Sequence, residues 1–203
     1  MLGKIKHAFN QAAHTYDAAA SAQHAAGAHL IECLPNHTYQ NVLDLGCGTG
    51  HTTNALATQL HFNGLQAIDT APSALTLARN TCKHPFVNFI EADFNEYQPT
   101  HRADLIFSNM ALHWGLNLKN VLARCHQLLN ENGILAFSLP LAHTFHELNG
   151  IAAKRALPEF TDVLSLLETH LKLIHLEKKQ YQTSHENTLA CLRAIKKNRC
   201  NRC

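Results

Sequence analysis

The stretch Val42-Leu43-Asp44-Leu45-Gly46-Cys47-Gly48-Thr49-Gly50 constrains this chain most. A short apolar run ends in three alternate glycines, and residues with helical spacing follow (Ala55, Leu56, Leu60). Glycines there let the backbone turn tightly and come close to a ligand with no Cβ in the way. The helix that follows offers unpaired N–H groups and a partial positive charge at its start. A strand, a glycine loop and a helix in that order make a nucleotide-cofactor site at the carboxyl edge of a sheet.

The rest of the chain extends that pattern. Two helical stretches occupy residues 4–34, the second over Ala18–Leu34, before Pro35 and a polar turn, Asn36–Gln40. Strands are expected over Asn41–Leu45, Gly64–Ile68, Phe86–Ile90, Leu105–Ser108 and Gly133–Leu139. Helices fall between them: Thr52–Phe62, one capped by Thr70 with Pro72 in its first turn, and Asn117–Leu129. Strands separated by helices of this length imply right-handed βαβ crossovers and a parallel sheet covered on both faces. Beyond Pro140, Phe145–Ala156 and Thr161–His170 read as helices, Leu171–Thr183 as a strand, and His185–Lys197 as an amphipathic helix.

Two cofactor classes compete for the loop. A dinucleotide fingerprint is GxGxxG/A, with an acidic residue about 20 positions on. Here the spacing is GxGxG, and His51 stands where close helix–sheet packing wants a small residue. Asp44 precedes the glycines; its carboxylate repels a pyrophosphate but can accept a hydrogen bond from an ammonium, directly or through water. Asp69, at the end of the second strand, can hold both hydroxyls of a ribose. Asp93, after the third, can accept from an adenine N–H, with Phe94 beside the base. A single aspartate at a strand end is most often a cap or turn residue. Three at consecutive strand ends, one within DxGxGxG, form a constellation for a sulfonium amino-acid nucleoside.

Composition narrows the classes further. A formal charge of +2 is too small for a nucleic-acid footprint. No apolar run reaches the ~18 residues of a membrane span, and Met1–Lys6 is not a secretory signal. Seven cysteines, five of them single within apolar segments, fit reduced thiols and a cytoplasmic location. Cys200-Asn201-Arg202-Cys203 reads as a terminal tail, and no His pair or second CxxC accompanies it, so no metal site is expected.

The constellation resembles the class I S-adenosylmethionine-dependent methyltransferases over residues 40–140. The resemblance implies a Rossmann-like α/β fold, with a doubly wound, mostly parallel sheet and helices on both faces. It also implies S-adenosyl-L-methionine as cofactor. The set it implies is Asp44, Gly46, Cys47, Gly48, Thr49 and Gly50 for the methionine part, Asp69 and Thr70 for ribose, and Asp93 and Phe94 for adenine, with Asn109 nearby. One domain is expected over 1–203: a helical lid (1–38), a cofactor core (39–140) and a shortened cap region (141–203).

The flanks are similar to the methyltransferases that esterify malonyl-acyl carrier protein in biotin synthesis. Phe9–Asp17 resembles their N-terminal signature, and Ser108-Asn109-Met110-Ala111-Leu112-His113-Trp114 their fourth-strand motif, with His113 in the usual Gln place. Phe137-Ser138, Thr144–Leu148 and Leu192–Lys196 resemble later stretches. The resemblance implies acyl carrier protein as partner and Tyr16, His113 and Trp114 around the reacting methyl. Each has a plainer reading: a packing tyrosine, a solvated loop histidine, a core tryptophan. Basic residues in the last third (Lys154, Arg155, Lys172, Lys178, Lys179, Lys196, Lys197, Arg199) suit an acidic carrier or are ordinary solvated faces. Relatives of that family also act on other small acids, including trans-aconitate. A silent domain that binds only cofactor or a partner is the third alternative.

Two departures from the family pattern stand out. Arg124 and Gln127 replace a Glu and an Arg, and Asn130-Glu131-Asn132-Gly133 replaces a Pro-Gly-Gly turn. Family members also continue past the position of Lys197 and return an antiparallel strand beside the fifth. Here Leu171–Thr183 must fill that place, or the edge stays bare.

Overall fold

The computed structural model describes residues 2–144, 156–168, 171–187 and 189–193. Helices α1 (Leu2–Tyr16) and α2 (Ser21–Glu32) precede the sheet, joined by a 3-10 turn at Asp17–Ala19. Then β1 (Thr38–Leu45), α3 (His51–Gln59), β2 (His61–Asp69), α4 (Pro72–Thr81) and β3 (Val87–Glu91) follow. Next come β4 (Ala103–Asn109), a 3-10 turn at Leu112–Trp114, α5 (Leu118–Leu128), β5 (Leu129–Ser138) and α6 (Phe160–Leu167). All five strands are parallel, in the order β3-β2-β1-β4-β5. The order reverses between β1 and β4, and the glycine loop leaves β1 at that crevice, where open α/β sheets bind ligands.

Alternation along each strand builds two cores. Val42, Leu65, Ala67, Leu105 and Phe107 pack with Ile31 and Leu56 on one face. Leu43, Leu45, Ile68 and Ile106 pack with Val121, Leu122, Cys125 and Val163 on the other. Burial of both faces explains why the strands are nearly continuous apolar runs. The helix α1 lies apart from these cores, with Ala13 and Phe9 against Ala71 and Ala74 of the α4 entry.

The Rossmann-like α/β architecture is as expected, and several boundaries move. The supposed polar turn holds the start of β1: Tyr39 is fully buried and pairs with Phe62. The helix expected to reach Phe62 stops at Gln59, and β2 begins at His61, because Thr38 and Tyr39 supply ladder partners for His61 and Phe62. Thr70 does not cap α4. The N-cap position is Ala71, and the Ser73 N–H is met by Asn10 Oδ1 from α1 at 2.9 Å. The turn expected at Asn130–Gly133 is absorbed into β5 as an irregularity, with Ala103 opposite Leu129 but Leu105 opposite Ile134. Asn117 caps α5 through Lys119 N and Asn120 N.

The largest difference is at the end. Residues 171–185 carry no regular secondary structure and are not a strand of the sheet. No residue of 172–185 makes a backbone–backbone hydrogen bond among the described residues. Glu177 and Lys179 instead bind His29 of α2, at 2.7 and 2.9 Å. Residues 189–193 are helical, starting where Asn187 accepts from Ala190 N. The helix expected at 145–156, the end of the 185–197 helix, and Cys200 and Cys203 lie outside the described residues, 156 alone excepted. Of the remaining cysteines, Cys47, Cys82 and Cys125 are buried thiols, and Cys33 and Cys191 are only half-buried.

Candidate active site

The loop after β1 is held by its neighbour strand. Gly46 N and Cys47 N both donate to the Ile68 carbonyl, at 2.8 and 3.0 Å. Gly46 has φ +77°, and a Cβ there would lie 2.3 Å from Ala111 Cβ, so the loop can press against the β4 exit only as glycine. Gly48 has φ +54° and faces open space, with nothing within 4 Å of an added Cβ. Gly50 ends the turn and starts α3 with no side-chain cap. The loop therefore presents bare backbone and a helix N-terminus to a cavity.

That cavity, about 1690 Å³, gathers many of the expected residues: Tyr16, Gly46, Gly48, Thr49, Asp69, Thr70, Phe94, Asn109, His113 and Trp114. Asp69 is the best placed. Its Oδ2 accepts from Gly48 N and its Oδ1 from Ala71 N, each at 2.9 Å. Each carboxylate oxygen has two acceptor positions, so a pair of vicinal hydroxyls can still be held. Burial pushes the Asp69 carboxyl up, and the backbone N–H groups of Ala71, Gly48 and Thr70 pull it back.

Four expected ligand residues sit differently. Asp44 does not line the cavity: it is 2% exposed, under the loop, and Thr53 Oγ1 donates to its Oδ2 at 2.7 Å. Burial raises its carboxyl to about 7, against the pull of the Thr53 bond. In this conformation it supports the loop from beneath. Cys47 also lies outside the lining; its N–H is spent on Ile68, and burial first, then the charges of Asp69 and Asp44, push its thiol well up. Asp93 turns into its own loop, where Oδ1 accepts from Asn95 N at 2.8 Å and from the Asn95 amide. That is the side-chain turn aspartate favours. Asn109 reaches the cavity wall, and its amide also ties α2 to β5: Nδ2 donates to Gln23 O of α2 at 2.8 Å, and Oδ1 accepts from Ser138 Oγ at 2.7 Å.

The opposite wall is aromatic. Tyr16 ends α1, and burial, with Asp17 and Asp69 adding, raises its hydroxyl to about 12. Phe9 sits edge-on to both Tyr16 (6.4 Å) and Trp114 (5.5 Å), and the His113 ring lies 4.8 Å from Trp114. A neutral tyrosine hydroxyl and an imidazole over an apolar floor can donate to an oxyanion while excluding water.

Several residues of the site were not singled out from sequence. Phe9 joins α1 to Trp114. Asp17 accepts from Thr49 Oγ1 at 2.7 Å and fastens the turn after α1 to the glycine loop. His24 and His51 stack at 3.6 Å behind that loop; burial first, then His51, holds the His24 imidazole below its ordinary value. Met110 has φ +52°, the one positive value outside glycine among the described residues, at the cavity wall. The acid next to Tyr16 was the one available signal; the His24–His51 stack, made by residues far apart in sequence, and the Met110 conformation carried none.

Comparison with known proteins decides what this cleft serves. A family model described as a methyltransferase domain matches residues 42–133. The chain is 34% identical over 196 residues to malonyl-[acyl-carrier protein] O-methyltransferase 2 of Coxiella burnetii, covering 95% of this chain and 79% of that protein. The chain belongs to the class I S-adenosylmethionine-dependent methyltransferases. Its cofactor is S-adenosyl-L-methionine. The cleft fits that group: Gly48 leaves room for a close approach, Asp69 offers a diol acceptor, and Phe94 and Ala74 give an apolar wall.

Other relatives match less of themselves. The malonyl-[acyl-carrier protein] O-methyltransferase of Anoxybacillus flavithermus is 33% identical over 141 residues, 70% of this chain, which spans 54% of that protein. Trans-aconitate 2-methyltransferase of Rhizobium etli is 32% identical over 111 residues, 55% of this chain and 43% of that protein. An N-methyltransferase of Bradyrhizobium japonicum, solved with S-adenosyl-L-homocysteine, superposes with TM-score 0.64 at 20% identity, over 79% of each chain. That likeness concerns the fold.

Proposed function

We propose that this methyltransferase esterifies the free carboxylate of malonyl-acyl carrier protein, an early step of biotin synthesis in the cytoplasm. The observation that carries the reading is the 34% identity to the Coxiella burnetii enzyme across 95% of the chain, lid and acceptor wall included. Bound in the cleft, the cofactor supplies an electrophilic methyl on a sulfonium. On this reading Asp69 and Thr70 hold the ribose, Phe94 flanks the base, and Asp93 serves the adenine amine once its turn relaxes. The glycine loop and Thr49 hold the methionine part, with Asp44 and Cys47 supporting the loop from beneath.

A malonyl carboxylate is already ionised near neutral pH, so the chain needs no general base. Its work is orientation and water exclusion. Tyr16, kept protonated, and His113 donate to the acceptor oxygens, and Trp114 with Phe9 walls the path. Lys172, Lys178 and Lys179 line the same cavity and suit an acidic carrier protein. The other basic residues named for that role lie outside the described residues. Esterification masks the charged end of the acyl group for the enzymes that extend it.

The test is transfer of a labelled methyl group to malonyl-acyl carrier protein, set against free trans-aconitate and malonate. Transfer to the carrier-bound acid alone supports the proposal. Transfer to trans-aconitate instead favours the second reading, for which the Rhizobium etli relative speaks. Binding of S-adenosylhomocysteine with transfer to no acid favours a silent cofactor-binding domain. Tyr16→Phe is expected to lower kcat about tenfold, with cofactor affinity kept, if one hydrogen bond to the acceptor is lost.

A further inference from the structure

The turn that carries the aromatic wall begins in a conformation that its first residue disfavours. Met110, next after β4, has φ +52°. An unbranched side chain can occupy that left-handed region, at a cost of about 1–3 kcal/mol. Such a residue persists only where its surroundings over-determine it. The residue that holds it is Ser138, at the end of β5. Met110 N donates to both Ser138 O, at 3.1 Å, and Ser138 Oγ, at 3.0 Å.

The directions of the bonds around Ser138 follow from what each group can do. Gln23 O of α2 can only accept, so the Asn109 atom facing it at 2.8 Å is the amide nitrogen. The Asn109 oxygen therefore faces Ser138, and the Ser138 hydroxyl gives it its single hydrogen, at 2.7 Å. Lone pairs are what remain on Oγ, and one of them receives Met110 N. The hydroxyl thus has one arrangement, set from α2 through Asn109. Strand register brings the partners together, because Asn109 and Ser138 are paired at the ends of β4 and β5.

The bend at Met110 decides what the cleft receives. An extended residue there would carry the chain onward past the sheet edge. The left-handed residue turns it toward β1 instead. Ala111 then lies against the glycine loop, where an added Cβ on Gly46 would come within 2.3 Å of Ala111 Cβ. Leu112 drops into the core and is fully buried. The 3-10 turn closes with Trp114 N donating to Ala111 O at 2.9 Å, and His113 and Trp114 line the cavity.

We infer that Ser138 is a positioning residue for methyl transfer: its hydroxyl and carbonyl lock Met110 in the left-handed conformation and so hold His113 and Trp114 toward the cofactor cleft. This rests on the reading of His113 and Trp114 as the wall of the acceptor path. Ser138 acts through Met110. The groups that fix the cofactor loop belong to β2: Ile68 O accepts from Gly46 N and Cys47 N, and Asp69 accepts from Gly48 N. Loss of the Ser138 hydroxyl therefore falls on turnover and spares cofactor affinity.

Ser138→Ala and Ser138→Thr, each alone and combined with Met110→Gly, test this in the full chain. Trp114 is the sole tryptophan, so its emission and its quenching by acrylamide report the turn. Ser138→Ala removes two hydrogen bonds and should lower kcat about tenfold, while the S-adenosylhomocysteine Kd stays within about twofold. Its Trp114 emission should shift to the red and quench more readily. Ser138→Thr keeps the hydroxyl and should restore both turnover and emission. Glycine adopts a positive φ without steric cost, so with Met110→Gly already present Ser138→Ala should lower kcat by about twofold at most. A loss of about tenfold in both backgrounds overturns the inference. So does unchanged Trp114 emission in Ser138→Ala, or a cofactor affinity that falls in step with turnover. If the wild type methylates none of the acids, the acceptor reading fails by itself, and Trp114 emission with its rescue by threonine still decides the role of Ser138.

Discussion

The two ends of the sheet differ in how they are held. On the β1–β2 side, the site is fixed by backbone: Ile68 O takes two loop N–H groups, and Gly48 N and Ala71 N clasp Asp69. On the β4–β5 side, side chains do the holding: Asn109 to Gln23, Ser138 to Asn109, His29 to Glu177. Backbone bonds tolerate most changes of side chain, so the cofactor end is spelled by a few glycines and acids. Side-chain bonds can be exchanged one at a time, so the β4–β5 side is the more easily altered of the two.

The sharpest break of that comparison is Gly46→Ala. It sets a Cβ 2.3 Å from Ala111 Cβ at φ +77°. A cost of about 3 kcal/mol or more is expected from strain and overpacking together. Denaturant melts should show it, and S-adenosylhomocysteine binding should be lost. An unchanged midpoint would mean that the loop is not fixed as described.

Next in size is the buried acid under the loop. Asp44 has its folded pKa raised to about 7, so its contribution to stability is present in acid, below its unfolded value, and is lost as pH rises through about 7. The ligand-free protein should therefore melt lower at about pH 8 than at about pH 5. Asp44→Asn should remove most of that slope and gain stability at high pH, of order 2–4 kcal/mol. A slope that survives the substitution assigns it to another group.

The smallest effect is expected at the lid. Asp17→Ala deletes the bond to Thr49 Oγ1 and frees the end of α1. With about 1 kcal/mol lost, S-adenosylhomocysteine should dissociate about fivefold faster, as stopped-flow quenching of Trp114 can report. Equal dissociation rates would uncouple the lid from the loop.

Much of this was legible in the sequence, for local reasons. The strand–helix alternation, the glycine spacing and Asp69 each depend on neighbours a few residues away, and the structure has them where they were expected. What failed was decided at long range. Asn10 rather than Thr70 meets the α4 N-terminus, because α1 folds back onto it. Asn109 lines the cavity, while its amide bond to α2 had no local signal in the sequence. Leu171–Thr183 alternates like a strand, yet alternation cannot say whether a neighbour stands at hydrogen-bonding distance. Asp44 carried the right type at the right place, and only packing set it below the loop.

The central claim is that the β1 loop and the end of β2 together hold S-adenosylmethionine through Asp69. Isothermal titration with S-adenosylhomocysteine, wild type against Asp69→Ala, tests it most directly. Two hydroxyl bonds to a charged acceptor are worth about 3 kcal/mol together, so the variant should bind at least a hundredfold more weakly, with an unchanged melting profile in the absence of ligand showing that the fold is intact. Equal affinity in the two proteins would contradict the account.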